Sequence, residues 1–161
     1  MEFIVLSQEQ AEQYTYTEPH VNISIHSPLE PQAQLSELAT GRKAVLFLEF
    51  HDCDDATLDG VNICDITGSH AKGKLCCIKP EHARQILEFF NKWKGHVNLV
   101  VVNCLAGISR SSATAAALAV VNGQSDEFIF KNNRFHPNML VYRTILNEAF
   151  GYGEKDSESS R

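Results

Sequence analysis

Cys104 and Arg110 are the two residues whose types and spacing offer chemistry together. One is a nucleophile and the other a planar cation six positions on, with Gly107 between them and serines at 109, 111 and 112. Such a set suits capture of a tetrahedral oxyanion followed by attack on its central atom. A guanidinium forks onto two oxygens of a phosphate. The backbone N–H groups of a tight, glycine-containing loop at a helix start converge on the same anion and add partial positive charge. A cysteine at the lip of that cradle lies in a field that favours the thiolate, its nucleophilic form. The expected phosphate-binding set is Leu105, Ala106, Gly107, Ile108, Ser109 and Arg110, with Cys104 as nucleophile.

Two elements must hold this loop. Before it, Val97 and residues 99 to 102, LVVV, form the short β-branched run of a strand buried in a parallel sheet. After it come Ala113, Ala115, Ala116, Ala117, Leu118 and Ala119, helix formers small enough to let a helix pack closely against a sheet. A lone cysteine before a helix is more often a small buried hydrophobe. What separates this one from that reading is the coincidence of the strand before it, the glycine inside the loop, the serine directly after the arginine and the alanine-rich helix behind.

The segment NCLAGISRSS resembles the phosphate-binding loop of the cysteine-dependent protein tyrosine phosphatases. Its AGxSRS form is closest to the compact dual-specificity-like branch. The resemblance implies an α/β fold and metal-free hydrolysis of phosphomonoesters through a phosphocysteine, with no cofactor. It also implies that Ser111 stabilises the departing thiolate. In the family the pattern begins His-Cys, and here Asn103 stands at the histidine; an asparagine keeps a hydrogen bond there but not the same electrostatics. Two other readings follow from the same residues: a phosphate-binding module with weak or absent turnover, or a thiol-redox enzyme such as an arsenate reductase, which would need a second thiol able to reach Cys104.

Expelling an alkoxide or phenoxide from phosphorus requires a proton on the leaving oxygen, which a carboxylic acid supplies. The run KAVLFLEF, residues 43 to 50, reads as a strand, and HDCDD follows it. In parallel sheets ligands bind beyond the carboxyl ends of the strands, so these acids should emerge on the edge that carries Cys104. By resemblance the acid follows this strand directly, which picks Asp52, with Asp54, Asp55 and Asp65 as alternatives and Asp59 further on. Asp52 precedes Cys104 by 52 residues and Asp65 by 39, and the shorter interval is the usual one in the family. Asp52 therefore implies an insertion over residues 56 to 79.

Composition narrows the partners. The chain has 161 residues, a net charge of -6 and 43% hydrophobic residues, which suits a single domain over residues 1–150 with a polar tail at 151–161. The acidic balance argues against a nucleic-acid surface, and the uncharged loop residues 105, 106, 108 and 109 argue against densely anionic substrates. The expected substrate is a phosphotyrosine-type ester on a protein or a small molecule, with phosphoserine or phosphothreonine as a further possibility. No stretch reaches membrane-spanning length and no signal pattern opens the chain, so a cytoplasmic protein is expected. The five cysteines, at 53, 64, 76, 77 and 104, match no disulfide or zinc-ligand spacing, and reduced thiols are expected. Cys53 and Cys64 are the candidates for a resolving thiol.

The other elements are supports. Residues 3–6 and 21–26 read as strands, and Ser7 as the cap of a short helix from Gln8. Helices are expected over 80–95, with Ala83, Ile86, Leu87, Phe90 and Trp93 on its core face, over a short stretch after Ser125, and over 137–150 from Pro137. The resulting class is α/β, a mostly parallel sheet of four to five strands flanked by helices.

Overall fold

The computed structural model describes residues 1–54 and 75–151. Among the described residues, four strands form one parallel sheet: β1 (Glu2–Ser7), β2 (His20–His26), β3 (Arg42–Glu49) and β4 (Leu99–Cys104), in the order β1-β4-β2-β3. The four runs read as strands from their sequence are these four. β4 is central because it is apolar on both faces; all six of its residues are buried. Its register sets Leu6 and Ser24 beside Asn103, and Ser7 beside Cys104.

Five helices accompany the sheet among the described residues: α1 (Gln8–Gln13), α2 (Pro80–Trp93), α3 (Arg110–Val121), α4 (Glu127–Phe130) and α5 (Met139–Phe150). α1 opens with a reciprocal cap in which Ser7 Oγ accepts from Gln10 N and Gln10 Oε1 accepts from Ser7 N. α3 is buried from Arg110 through Ala119, which its alanines permit by letting sheet and neighbouring helices approach from all sides. The core joins Val21, Ile23, Ile25, Val100 and Val102 of the sheet to Ile86 and Phe90 of α2, Leu118 of α3 and Ile145 of α5. Trp93 packs on its margin, as its place on the helical face predicts. None of the described helices is long and apolar enough to cross a membrane.

One helix start differs from expectation. The last helix begins at Met139 rather than Pro137, because Asn138 is its N-cap and accepts from Val141 N through Oδ1 at 3.0 Å. Pro137 therefore precedes the cap instead of opening the first turn.

Two imidazoles, His82 buried and His51 half-buried, stitch the segment before α2 to the end of β3. His82 Nδ1 accepts from Lys79 N at 2.9 Å, and its ring also bonds the Glu49 backbone. His51 Nδ1 accepts from Cys76 N at 2.9 Å, while His51 N donates to Cys76 O at 2.6 Å. Burial holds both rings below the ordinary imidazole range, and for His51 the nearby Arg110 acts in the same direction. The unfolded chain therefore takes up these protons first. Stability is full above the unfolded imidazole value and falls with pH below it. The melting temperature should drop between about pH 7.5 and about pH 5.5. His82→Gln, which keeps an acceptor and a donor but does not titrate, should flatten that slope; an unaltered slope would show that other groups set it.

Candidate active site

Each of the four strands delivers a site group just beyond its carboxyl end: Gln8 after β1, Ser27 after β2, Phe50 to Asp52 after β3, and the loop 105–109 after β4. Cys104, the last residue of β4, is buried, and its Sγ lies 3.0 Å from the Oγ of Ser111 in the first turn of α3. It is the free cysteine among the described residues.

Three of the loop carbonyls are engaged by the surrounding chain. Leu105 O accepts from Gln8 N, Ile108 O from His136 N and Ser109 O from Asn138 N, each at 3.1 Å. Ser112 Oγ donates to Ile108 O at 2.5 Å and to Ser109 O at 3.0 Å, tying the loop to its helix. Ser109, at the helix N-cap, makes no side-chain capping bond, so its hydroxyl does not occupy the amide end of α3. Gly107 has φ of 69°, and a Cβ there would run into the backbone of Leu6 and Ser7. Both the left-handed conformation and the close approach demand glycine. Gly107→Ala should cost about 3 kcal/mol from combined overpacking and backbone strain, lowering the melting temperature by roughly 10 °C. Thermal unfolding within about a degree of the parent would refute that seal.

Arg110 is buried. Its Nη1 donates to Phe50 O and to Ser27 Oγ, both at 2.8 Å, while Nε is buried without a hydrogen-bond partner among the described residues. One corner of the guanidinium is thus anchored to neutral oxygens and the Nε edge is unspent.

Asp52 Oδ1 accepts from Ser109 Oγ at 2.8 Å and from Asn138 Nδ2 at 2.6 Å. The same Asn138 amide donates to Cys53 O at 2.7 Å. An exposed carboxylate from the end of β3 is thereby held onto the Cys104–Arg110 loop. Asp54 is also exposed at this chain end, whereas Asp55, Asp59 and Asp65, with Cys64 and most of the 56–79 insertion, lie outside the described residues. Residues 152–161 of the expected tail lie outside them too.

Two expectations need correction. Cys53 and Cys77 are joined in a disulfide across a separation of 24 residues, and Cys76 is also disulfide-bonded, so these thiols are not reduced. The physical reason is proximity: His51 N donates to Cys76 O and Cys76 N donates to the His51 ring, which brings the chain after β3 alongside the chain before α2. Closing such a loop stabilises the fold on the order of 3 kcal/mol. Cys53 is consequently not available as a resolving thiol for Cys104. Asn103 is buried, and its Oδ1 has no hydrogen-bond partner among the described residues.

Three contributors escaped the sequence reading: Ser27, Ser109 as a partner of Asp52, and Asn138 as the clasp on Asp52. Only Asn138 left a local signal, an asparagine just before an apolar helical run.

The fold is shared with solved phosphatase and phosphatase-like structures, and this chain carries its Cys-x5-Arg loop beyond the carboxyl end of β4. Among solved structures, human DUSP28 superposes with a TM-score of 0.59 at 16% identity, covering 93% of this chain and 92% of that one. The human tyrosine phosphatase-like serine/threonine/tyrosine-interacting protein gives 0.57 at 16% identity, covering 93% of this chain and 89% of that one. Tk-PTP in its active form gives 0.52 at 15% identity, covering 90% of each chain. No protein-family model and no curated protein matches the chain in sequence.

Proposed function

We propose that this protein hydrolyses phosphomonoesters through a phosphocysteine on Cys104, with aryl esters of the phosphotyrosine type as the preferred class. The observation that carries the reading is the bond from Ser109 to Asp52: a carboxylate remote in sequence is clasped to the loop that holds a buried cysteine and an anchored arginine.

The loop N–H groups and the unspent edge of Arg110 bind the three phosphoryl oxygens. The Cys104 thiolate attacks phosphorus in line; the S–P bond forms as the ester P–O bond breaks, and Asp52 protonates the leaving oxygen. Both hydrogen bonds to Asp52 fall on Oδ1, which leaves Oδ2 to carry the proton. Water then attacks phosphorus, its proton passes to Asp52, and the S–P bond breaks. Ser111, already 3.0 Å from Sγ, donates to the departing thiolate. The products are the alcohol or phenol and inorganic phosphate. Leu105, half exposed, and Ala106 give the loop an apolar rim suited to an aromatic leaving group.

The test is hydrolysis of para-nitrophenyl phosphate with a chelator present, across roughly the pH 5–8 range and with and without vanadate. Vanadate-blocked turnover supports the reading. Vanadate binding without turnover would instead make the protein a phosphate-binding module, the reading favoured by Asn103 and its unpartnered oxygen.

A further inference from the structure

We infer that Ser27 is a positioning residue for Arg110, an assignment that rests on the anion-binding reading of the Cys104–Arg110 loop. Ser27 is the first residue after β2, buried, and 83 positions from Arg110 in sequence, yet its Oγ takes an Nη1 proton at 2.8 Å. The turn that presents it closes on itself: Ser27 N donates to Glu30 Oε2 at 3.2 Å and Glu30 N donates to Ser27 O at 3.0 Å. Leu29 within that turn has φ of 69°, the only non-glycine in the left-handed region among the described residues. A leucine costs energy there, and the fold tolerates the cost because the turn is fixed on both sides.

The consequence lies in which atoms are used. Ser27 Oγ and Phe50 O both take Nη1 and, among the described residues, no carboxylate does, so these anchors orient the guanidinium without neutralising it. Two acceptors on one corner stop the plane from turning about its own axis. The Nε edge, buried and without a partner among the described residues, is then presented in a fixed plane, which a bidentate anion contact requires. A backbone carbonyl alone holds the corner but leaves the plane free to tilt. Ser27 therefore acts on the geometry of the fork, through Arg110, without touching substrate.

The experiment compares the wild-type protein with Ser27→Ala and Ser27→Thr, measuring inhibition constants for vanadate and for inorganic phosphate together with melting temperature. Phe50 O still anchors Nη1 in Ser27→Ala, so the variant should fold. Its vanadate affinity should fall about tenfold, the scale of one hydrogen bond to a charged group. Phosphate affinity should fall less, since vanadate mimics the five-coordinate state in which the fork matters most. Ser27→Thr, which keeps the hydroxyl, should restore both. Wild-type vanadate and phosphate constants in Ser27→Ala, or an equal loss for the two anions that tracks the loss of melting temperature, would overturn the assignment. If the wild-type protein itself takes neither anion, the reading of the loop fails first and this inference with it.

Discussion

Cys104→Ser is expected to lower kcat for para-nitrophenyl phosphate by about 10⁴-fold or more, the largest effect of any single change. Serine is nearly isosteric, and Ser111 Oγ at 3.0 Å can bond a hydroxyl as it bonds the thiol, so the loop should keep its shape. What is lost is the nucleophile, because a serine hydroxyl has no accessible anion at neutral pH. Binding of inorganic phosphate should be kept, since Arg110 and the loop N–H groups are unchanged by the substitution. The two readouts separate the roles of the loop. Turnover lost with phosphate binding intact assigns chemistry to Cys104 and anion capture to Arg110 and the backbone; turnover that survives would end the phosphocysteine mechanism.

The part of this arrangement legible in the sequence is the part written locally. The β-branched run at 99–102, Gly107 and the alanines after Arg110 specify a strand, a tight loop and a buried helix within one stretch of chain, and each is found there. The parallel sheet followed from the apolar runs, and with it the placement of residues 50–52 at the same edge as Cys104. The contacts that shape the site are different in kind. Ser27 to Arg110, Asp52 to Ser109 and Asn138 to Asp52 span 83, 57 and 86 positions. No periodicity or cap encodes such pairs; they exist because four parallel strands end on one edge. The Cys53–Cys77 bridge was hidden for the same reason, as its spacing matches no framework while register alone brings the two thiols together. That bridge also bears on surroundings, because a disulfide directly after Asp52 persists best where thiols are not held reduced.

Asp52→Asn should reduce turnover of phenyl phosphate or a phosphotyrosine peptide by about 10²- to 10⁴-fold, the range of a lost general acid. The amide oxygen can still accept from Ser109 and Asn138, so the clasp should survive and the loss is specific to the proton. The dependence on leaving group is the decisive reading. A nitrophenolate departs with little help, so its hydrolysis should fall less than that of phenyl phosphate, and the ratio of the two rates measures the acid directly. A rate ratio unchanged by Asp52→Asn would move the role to Asp54, Asp55 or Asp65. Asn138 would then hold Asp52 to the loop only as a structural strut, and the two bonds to its Oδ1 would belong to the fold rather than to the reaction.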